Sequence, residues 1–341
     1  MKILYLAHPE QDYGEYYLFN GLCYLYGSNN IVTYPFKKSY YGLVDKDYIL
    51  DSGDKGYTAP GEYIIPKPMN QWDLEEIVNR IAEFNIIILS SGRTYAVQAL
   101  REIIERFGKC PLPLVFTDHE DGDNIREDII DAFKPDAVFK RELIRGSRIP
   151  NVMPLPFSSA IDSFPDIDDQ EEKYSIFCCL GSTWPLRREI TEKLIEMDYP
   201  ESYISLDSQI RGDFQEKNKP RLSYKDYLTK IAQSKIAITV RGHGRDTVRY
   251  WEIAGYQTLM FICDPGIEIP NNFIDGETAV FFKEDFSDLK EKLDYYLSHE
   301  EERVRIAQAG KEHLRRWHTN QKRAEYFIDA LRSKGVLNDN I

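Results

Sequence analysis

One pattern, played twice, most constrains what this chain can fold into. Short apolar runs alternate with helical stretches from one end to the other. In the first half, Lys2–Ala7, Ile31–Tyr34, Ile86–Ser90, Leu114–Thr117 and Ala137–Lys140 read as strands. Tyr16–Tyr26, Asp73–Phe84, Thr94–Phe107 and Ile125–Phe133 read as helices, the second capped by Asn70 or Asp73. The strand runs are apolar at consecutive positions, as in parallel strands covered on both faces. A stretch rich in Tyr, Gly, Asp and Lys, from Lys38 to Pro68, reads as an excursion.

Residues 150–173 hold four prolines and a cluster of acids, a composition suited to a joint. The pattern then restarts. Tyr174–Leu180, Ser202–Leu206, Ile236–Val240, Leu259–Cys263 and Val280–Phe282 read as strands. Leu186–Met197, Ser223–Ala232 (capped by Ser223), Asp246–Gly255 and Ser287–Ser298 read as helices, and Glu300–Lys334 is almost wholly helical. A length of 341 residues also favours two cores over one. The expectation is an α/β protein of two Rossmann-like domains, with parallel sheets facing a cleft. The boundaries are 1–155, a linker at 156–173, a second domain at 174–316, and a last helix at 317–341 that packs back on the first domain. Ligands of such sheets bind at the carboxyl ends of the strands.

Composition narrows the function classes. A formal charge of −13 disfavours nucleic acid and anionic membranes as bulk partners, while leaving room for a local basic pocket. The cysteines, at 23, 110, 178, 179 and 263, show no metal-ligand or disulfide spacing. The apolar stretch near Met1 is too short for a signal peptide, and no run reaches the length of a spanning helix. A cytoplasmic protein is the expectation.

The sharpest local feature is the run from Val240 to Gly255, in which an apolar strand enters Arg-Gly-His-Gly-Arg-Asp before a helix. Gly242 and Gly244 allow close backbone approach to a ligand. Arg241, Arg245 and Arg249 supply charge and forked donors suited to a diphosphate. Glu252 can accept hydrogen bonds from ribose hydroxyls. An ordinary turn, with Glu252 paired to Arg245 or Arg249, accounts for the same spacing.

From about Ser234 to Arg323 the chain resembles the C-terminal domain of GT-B glycosyltransferases, particularly the CgeB-like group. The resemblance rests on an ordered series: Arg249, Glu252, Ala254 and Gly255; Cys263-Asp-Pro-Gly-Ile-Glu268; Phe273 to Glu277; Val280-Phe-Phe282; Ala307 to Gly310; Trp317-His-Thr and Arg323. It implies a GT-B fold and a donor site for a nucleoside-diphosphate sugar, a UDP-sugar foremost, with no metal or other cofactor. It also implies a second donor contact at the turn after the first strand of the C-terminal domain. There Gly181, Ser182 and Thr183 could cradle phosphate, and Arg187 or Arg188 could clamp it. Retaining relatives often carry two glutamates eight positions apart. Counting back from Glu252 reaches Gly244, so His243 or Asp246 would stand in for the first acid.

For the acceptor side, His8 follows the first strand and is a candidate base. The run Thr117-Asp-His-Glu-Asp-Gly-Asp123 is another candidate, with Asp118, His119 or Asp121 as base or acceptor ligand. Its bland alternative is capping of the next helix. Ser90 to Arg93 and Lys140 to Glu142 are weaker candidates, the latter to face donor phosphates. The resulting expectation is a metal-independent, hexosyltransferase-like glycosyltransferase acting on an unidentified acceptor hydroxyl. A nucleotide-sugar epimerase and a non-catalytic binding protein with a degenerate donor site are the alternatives.

Overall fold

The computed structural model describes residues 1–10, 12–37, 40, 71–160, 170–207, 222 and 224–338. The excursion from Lys38 (Tyr40 apart), the alternative cap Asn70, the cap Ser223 and the middle of the linker lie outside them. The chain divides into two compact units, Met1–Ser163 with Thr319–Ile341, and Phe164–His318.

The first unit is built on a six-stranded parallel sheet of order β2-β1-β3-β4-β5-β6. Its strands are β1 (Ile3–Leu6), β2 (Ile31–Tyr34), β3 (Ile86–Leu89), β4 (Leu114–Asp118), β5 (Ala137–Lys140) and β6 (Val152–Pro154). Every residue of β1, β3, β4 and β5 is buried, which is why those runs are unbrokenly apolar except at their ends. The sixth strand lies inside the proline-rich stretch. Val152 pairs with Val138 and Pro154 with Lys140. Prolines at 150 and 154 hide such a strand from a reading by composition, but an edge position tolerates them.

Helices α1 (Tyr13–Tyr26), α2 (Leu74–Asn79), α3 (Thr94–Phe107) and α4 (Glu127–Phe133) connect these strands. Asp12 caps α1 by accepting from the Glu15 amide, and Asp73 caps α2 through the Glu76 amide. One core joins Leu4, Leu6, Ile87, Leu89 and Phe116 of the sheet to Ala96, Leu100 and Ile103 of α3. The last helix, α10 (Asn320–Ser333), starts after a cap by Thr319 and packs on α1. Gly21 makes this close, since a Cβ there would lie 2.1 Å from the Asn320 carbonyl oxygen. Asn320 also donates to Asn20 Oδ1 at 2.9 Å and accepts from Ser158 Oγ at 2.7 Å.

The second unit holds a five-stranded parallel sheet of order β11-β10-β9-β7-β8. Its strands are β7 (Tyr174–Gly181), β8 (Tyr203–Asp207), β9 (Ser234–Thr239), β10 (Leu259–Cys263) and β11 (Val280–Phe282). Its helices are α5 (Pro185–Met197), α6 (Tyr224–Ala232), α7 (Val248–Ile253), α8 (Leu289–Ser298) and α9 (Glu300–Trp317). Ile176, Cys178 and Leu180 of β7, Ile236 and Ile238 of β9, and Ile190 and Leu194 of α5 share its core. Arg303 of α9 is buried and held bidentately by Glu172, at 2.6 and 3.0 Å. The tail is not one helix: α9 ends at Trp317, and His318 and Thr319 separate it from α10.

One departure bears on the site. The helix expected from Asp246 to Gly255 is only Val248–Ile253. Asp246 does not cap it; its carboxylate accepts from the Trp251 indole at 2.9 Å.

Candidate functional site

In the second sheet β7 is flanked by β8 on one side and β9 on the other. The connection therefore reverses direction between β7 and β9, which makes their carboxyl ends the switch point where open α/β sheets hold ligands. The turns that leave these two strands are residues 182–184 and 240–247. They are the two segments singled out in the sequence.

Arg187 brings them together. Its Nε donates to the Arg241 carbonyl at 2.9 Å, and Nη1 donates to the Gly181 carbonyl at 3.1 Å. Gly242 fits against the same guanidinium, since a Cβ there would lie 2.8 Å from Nη2. Arg187 is buried, and both bonds go to backbone carbonyls rather than to carboxylates. Burial, with the positive charge of Arg249 next in weight, lowers its pKa to about 9.

The second turn is compact. The Gly242 amide donates to the Gly244 carbonyl at 2.9 Å. Arg241 lies over the Trp184 ring at 4.5 Å and donates to the His243 carbonyl at 3.0 Å. His243 is exposed, with its ring edge toward Trp184. Arg245 points elsewhere, donating to the Pro265 carbonyl at 3.3 Å beside Gly266. Arg249 and Glu252 share a face of α7, three residues apart. Arg249 donates to Tyr227 Oη at 2.9 Å, and Glu252 is buried. Thr183 Oγ1 stands 3.2 Å from the place of a Gly242 Cβ, so the Gly181–Thr183 turn faces the Gly242 turn directly. The pairing of the turns through Arg187 had no signal in the sequence, because the partners are 54 residues apart.

In the first unit the switch point falls between β1 and β3, and His8 and Ser90 to Arg93 follow those strands. His8 Nδ1 accepts from the Glu10 amide at 3.2 Å, which puts the proton of the neutral ring on Nε2. Partial burial and the Arg93 charge lower its pKa. Beneath it, Glu15 is buried with Lys37 (3.3 Å) and Tyr40 (3.1 Å), and burial raises its pKa to about 7.

The acidic run after β4 is not a cap: Arg126 precedes α4, and no side chain caps that helix. Instead the run is tied down from β5. Lys140 pairs with Asp118 at 3.1 Å and donates to the Glu120 carbonyl at 3.0 Å. Arg141 pairs with Asp121, and Glu142 accepts from the Gly122 amide at 2.8 Å. Lys140, Arg141 and Glu142 are thus buried structural partners of this loop, not groups held out toward phosphates. His119 is buried against Gly14, and neither ring nitrogen has a hydrogen-bond partner among the described residues.

Comparison with known proteins bears first on the second unit. Residues 171–329 match the family model described as glycosyl transferase-like. Over these residues the chain is similar to that family. No curated protein matches it in sequence. Among solved structures, HepE from Anabaena, in complex with UDP and glucose, superposes with a TM-score of 0.56 at 9% identity, covering 98% of this chain and 100% of that one. A glycosyltransferase from Rickettsia africae gives 0.59 at 12% identity, covering 99% of both. Sucrose-phosphate synthase from Thermosynechococcus elongatus gives 0.53 at 12%, covering 98% and 99%. The chain therefore has the GT-B fold, with two parallel-sheet α/β domains. No helix among its described residues is long and apolar enough to cross a membrane.

Proposed function

We propose that this chain is a glycosyltransferase that takes a UDP-sugar as donor and moves its glycosyl group to an acceptor hydroxyl without a bound metal ion. The observation that carries the reading is the gathering of Arg187, Arg241 and Arg249 around two glycine-bearing turns at the switch point of the second sheet. The structural likeness to HepE, a structure that contains UDP and glucose, supports uridine as the base. In this reading Glu252 holds the ribose hydroxyls, and Gly181, Ser182, Thr183, Gly242 and Gly244 let backbone approach the diphosphate. Arg241 and Arg249 offset the charge that grows on the diphosphate as the anomeric carbon–oxygen bond breaks. Arg245 extends this positive field, and His243 stands at the tip of the turn beside the sugar. The acceptor oxygen forms the new bond to the anomeric carbon as its proton leaves.

His8 is the base we retain for that proton, because it is neutral at pH 7 and only partly buried. It takes the proton on Nδ1 once the Glu10 amide is released. Asp118 and Asp121 are placed in supporting roles, each already paired with a cation.

The test is calorimetry with UDP on the wild type and on Glu252→Ala. Two hydrogen bonds from ribose to a carboxylate are worth about 3 kcal/mol together, so the variant should bind about a hundredfold more weakly. Equal affinities would overturn the ribose assignment.

A further inference from the structure

We infer that Arg187 is a positioning residue: it ties the two turns of the second unit into one diphosphate cradle and does not itself hold the diphosphate. The inference rests on the reading of those turns as a nucleotide site.

The geometry argues for a clip. A guanidinium carries its donors in a rigid plane, so two carbonyls held by one plane are held at a fixed separation. Here the carbonyls belong to different turns, Gly181 after β7 and Arg241 after β9. The remaining edge of the plane is closed in by Gly242, where even a methyl group would come within 2.8 Å of Nη2 and 3.1 Å of Cζ. Gly181 approaches Nη1 from the other turn, at 3.7 Å from its would-be Cβ.

The clip also aims the backbone. Within a planar peptide the carbonyl and the next amide point in opposite directions. Turning the Gly181 carbonyl onto Arg187 therefore turns the Ser182 N–H away from it, in the turn that leads into α5. Arg241, by contrast, spends its guanidinium on Trp184 and the His243 carbonyl at the surface of the same turn, where a ligand can reach it. Arg187 works on backbone, and Arg241 and Arg249 are left to meet charge.

Positioning and direct binding predict different responses to lysine. Lysine keeps the positive charge but cannot bridge two carbonyls. If Arg187 positions, Arg187→Lys and Arg187→Met should both weaken UDP by about tenfold or more, within roughly twofold of each other. Uridine affinity should stay at the wild-type value in both, which a general loss of structure would not allow. Should these variants unfold, Gly242→Ala opens the same clip from its other side, and it should weaken UDP but not uridine. Near-wild-type UDP affinity in Arg187→Lys with loss only in Arg187→Met would overturn the proposal in favour of direct charge contact. Wild-type UDP affinity in Gly242→Ala would overturn it as well. A wild type that binds no UDP would instead remove the nucleotide reading on which the inference stands.

Discussion

Replacing His119 with phenylalanine should flatten the acid side of the first unit's stability curve. Burial, opposed by Asp12 and aided to a lesser extent by the charges of Arg141 and Lys140, lowers the imidazole pKa from 6.5 to about 4. The sign follows from proton counts. Between those two values the unfolded chain binds a proton at this residue and the folded chain does not, so stability falls as pH falls. The gap corresponds to about 3 kcal/mol in full, of which about 2 kcal/mol is lost by roughly pH 5. Phenylalanine has no such proton and fills a similar volume beside Gly14. Near pH 7 it should cost little, because the two ring nitrogens it removes have no hydrogen-bond partner among the described residues. Urea titrations of wild type and His119→Phe at several pH values measure the difference. Parallel stability curves across the acid range would refute the reasoning.

Two further outcomes follow from close approaches and crowded charge. Gly21→Ala should destabilise the first unit by about 2 kcal/mol, because its Cβ would meet the Asn320 carbonyl at 2.1 Å and Ala324 Cβ at 2.8 Å; an unchanged thermal midpoint would count against the described packing of α10 on α1. Arg249→Met should weaken UDP by about tenfold, since it removes a cation from the proposed diphosphate site. A fall in midpoint with unchanged UDP affinity would show Arg249 to be structural.

The fold was legible where burial is complete. Ile86–Leu89 and Leu259–Cys263 are continuous apolar runs because both faces of their sheets are covered, and nothing local competes with that signal. The strand Val152–Pro154 was not legible, because an edge strand needs fewer apolar residues and tolerates proline. Helix starts were blurred where a side chain that caps in principle has another use, as Asp246 does with the Trp251 indole. At the candidate site the sequence displayed residue types but not partners. Arg187 and Arg241 look alike in a string, yet one is buried on two carbonyls and the other lies on an indole at the surface. The acids after β4 look like ligands or caps in isolation. Their partners Lys140, Arg141 and Glu142 stand some 20 residues away on a neighbouring strand, where spacing rules do not reach.

The packing of α10 on α1 has a consequence for synthesis. Residues 319–338 come off the ribosome after the whole second unit, yet Gly21 packs against Asn320 and Ala324 of that late segment, and Asn20 accepts from Asn320. The nascent first sheet can form early, but one flank of α1 must wait. During that interval the second unit, being contiguous in the chain, is free to finish. The Ser159 carbonyl that receives the Asn320 amide, and the bridge from Ser159 to Thr319, then close the outgoing strand of chain beside the incoming one. The first unit is therefore completed only after the second unit has been made, although most of its residues are made first.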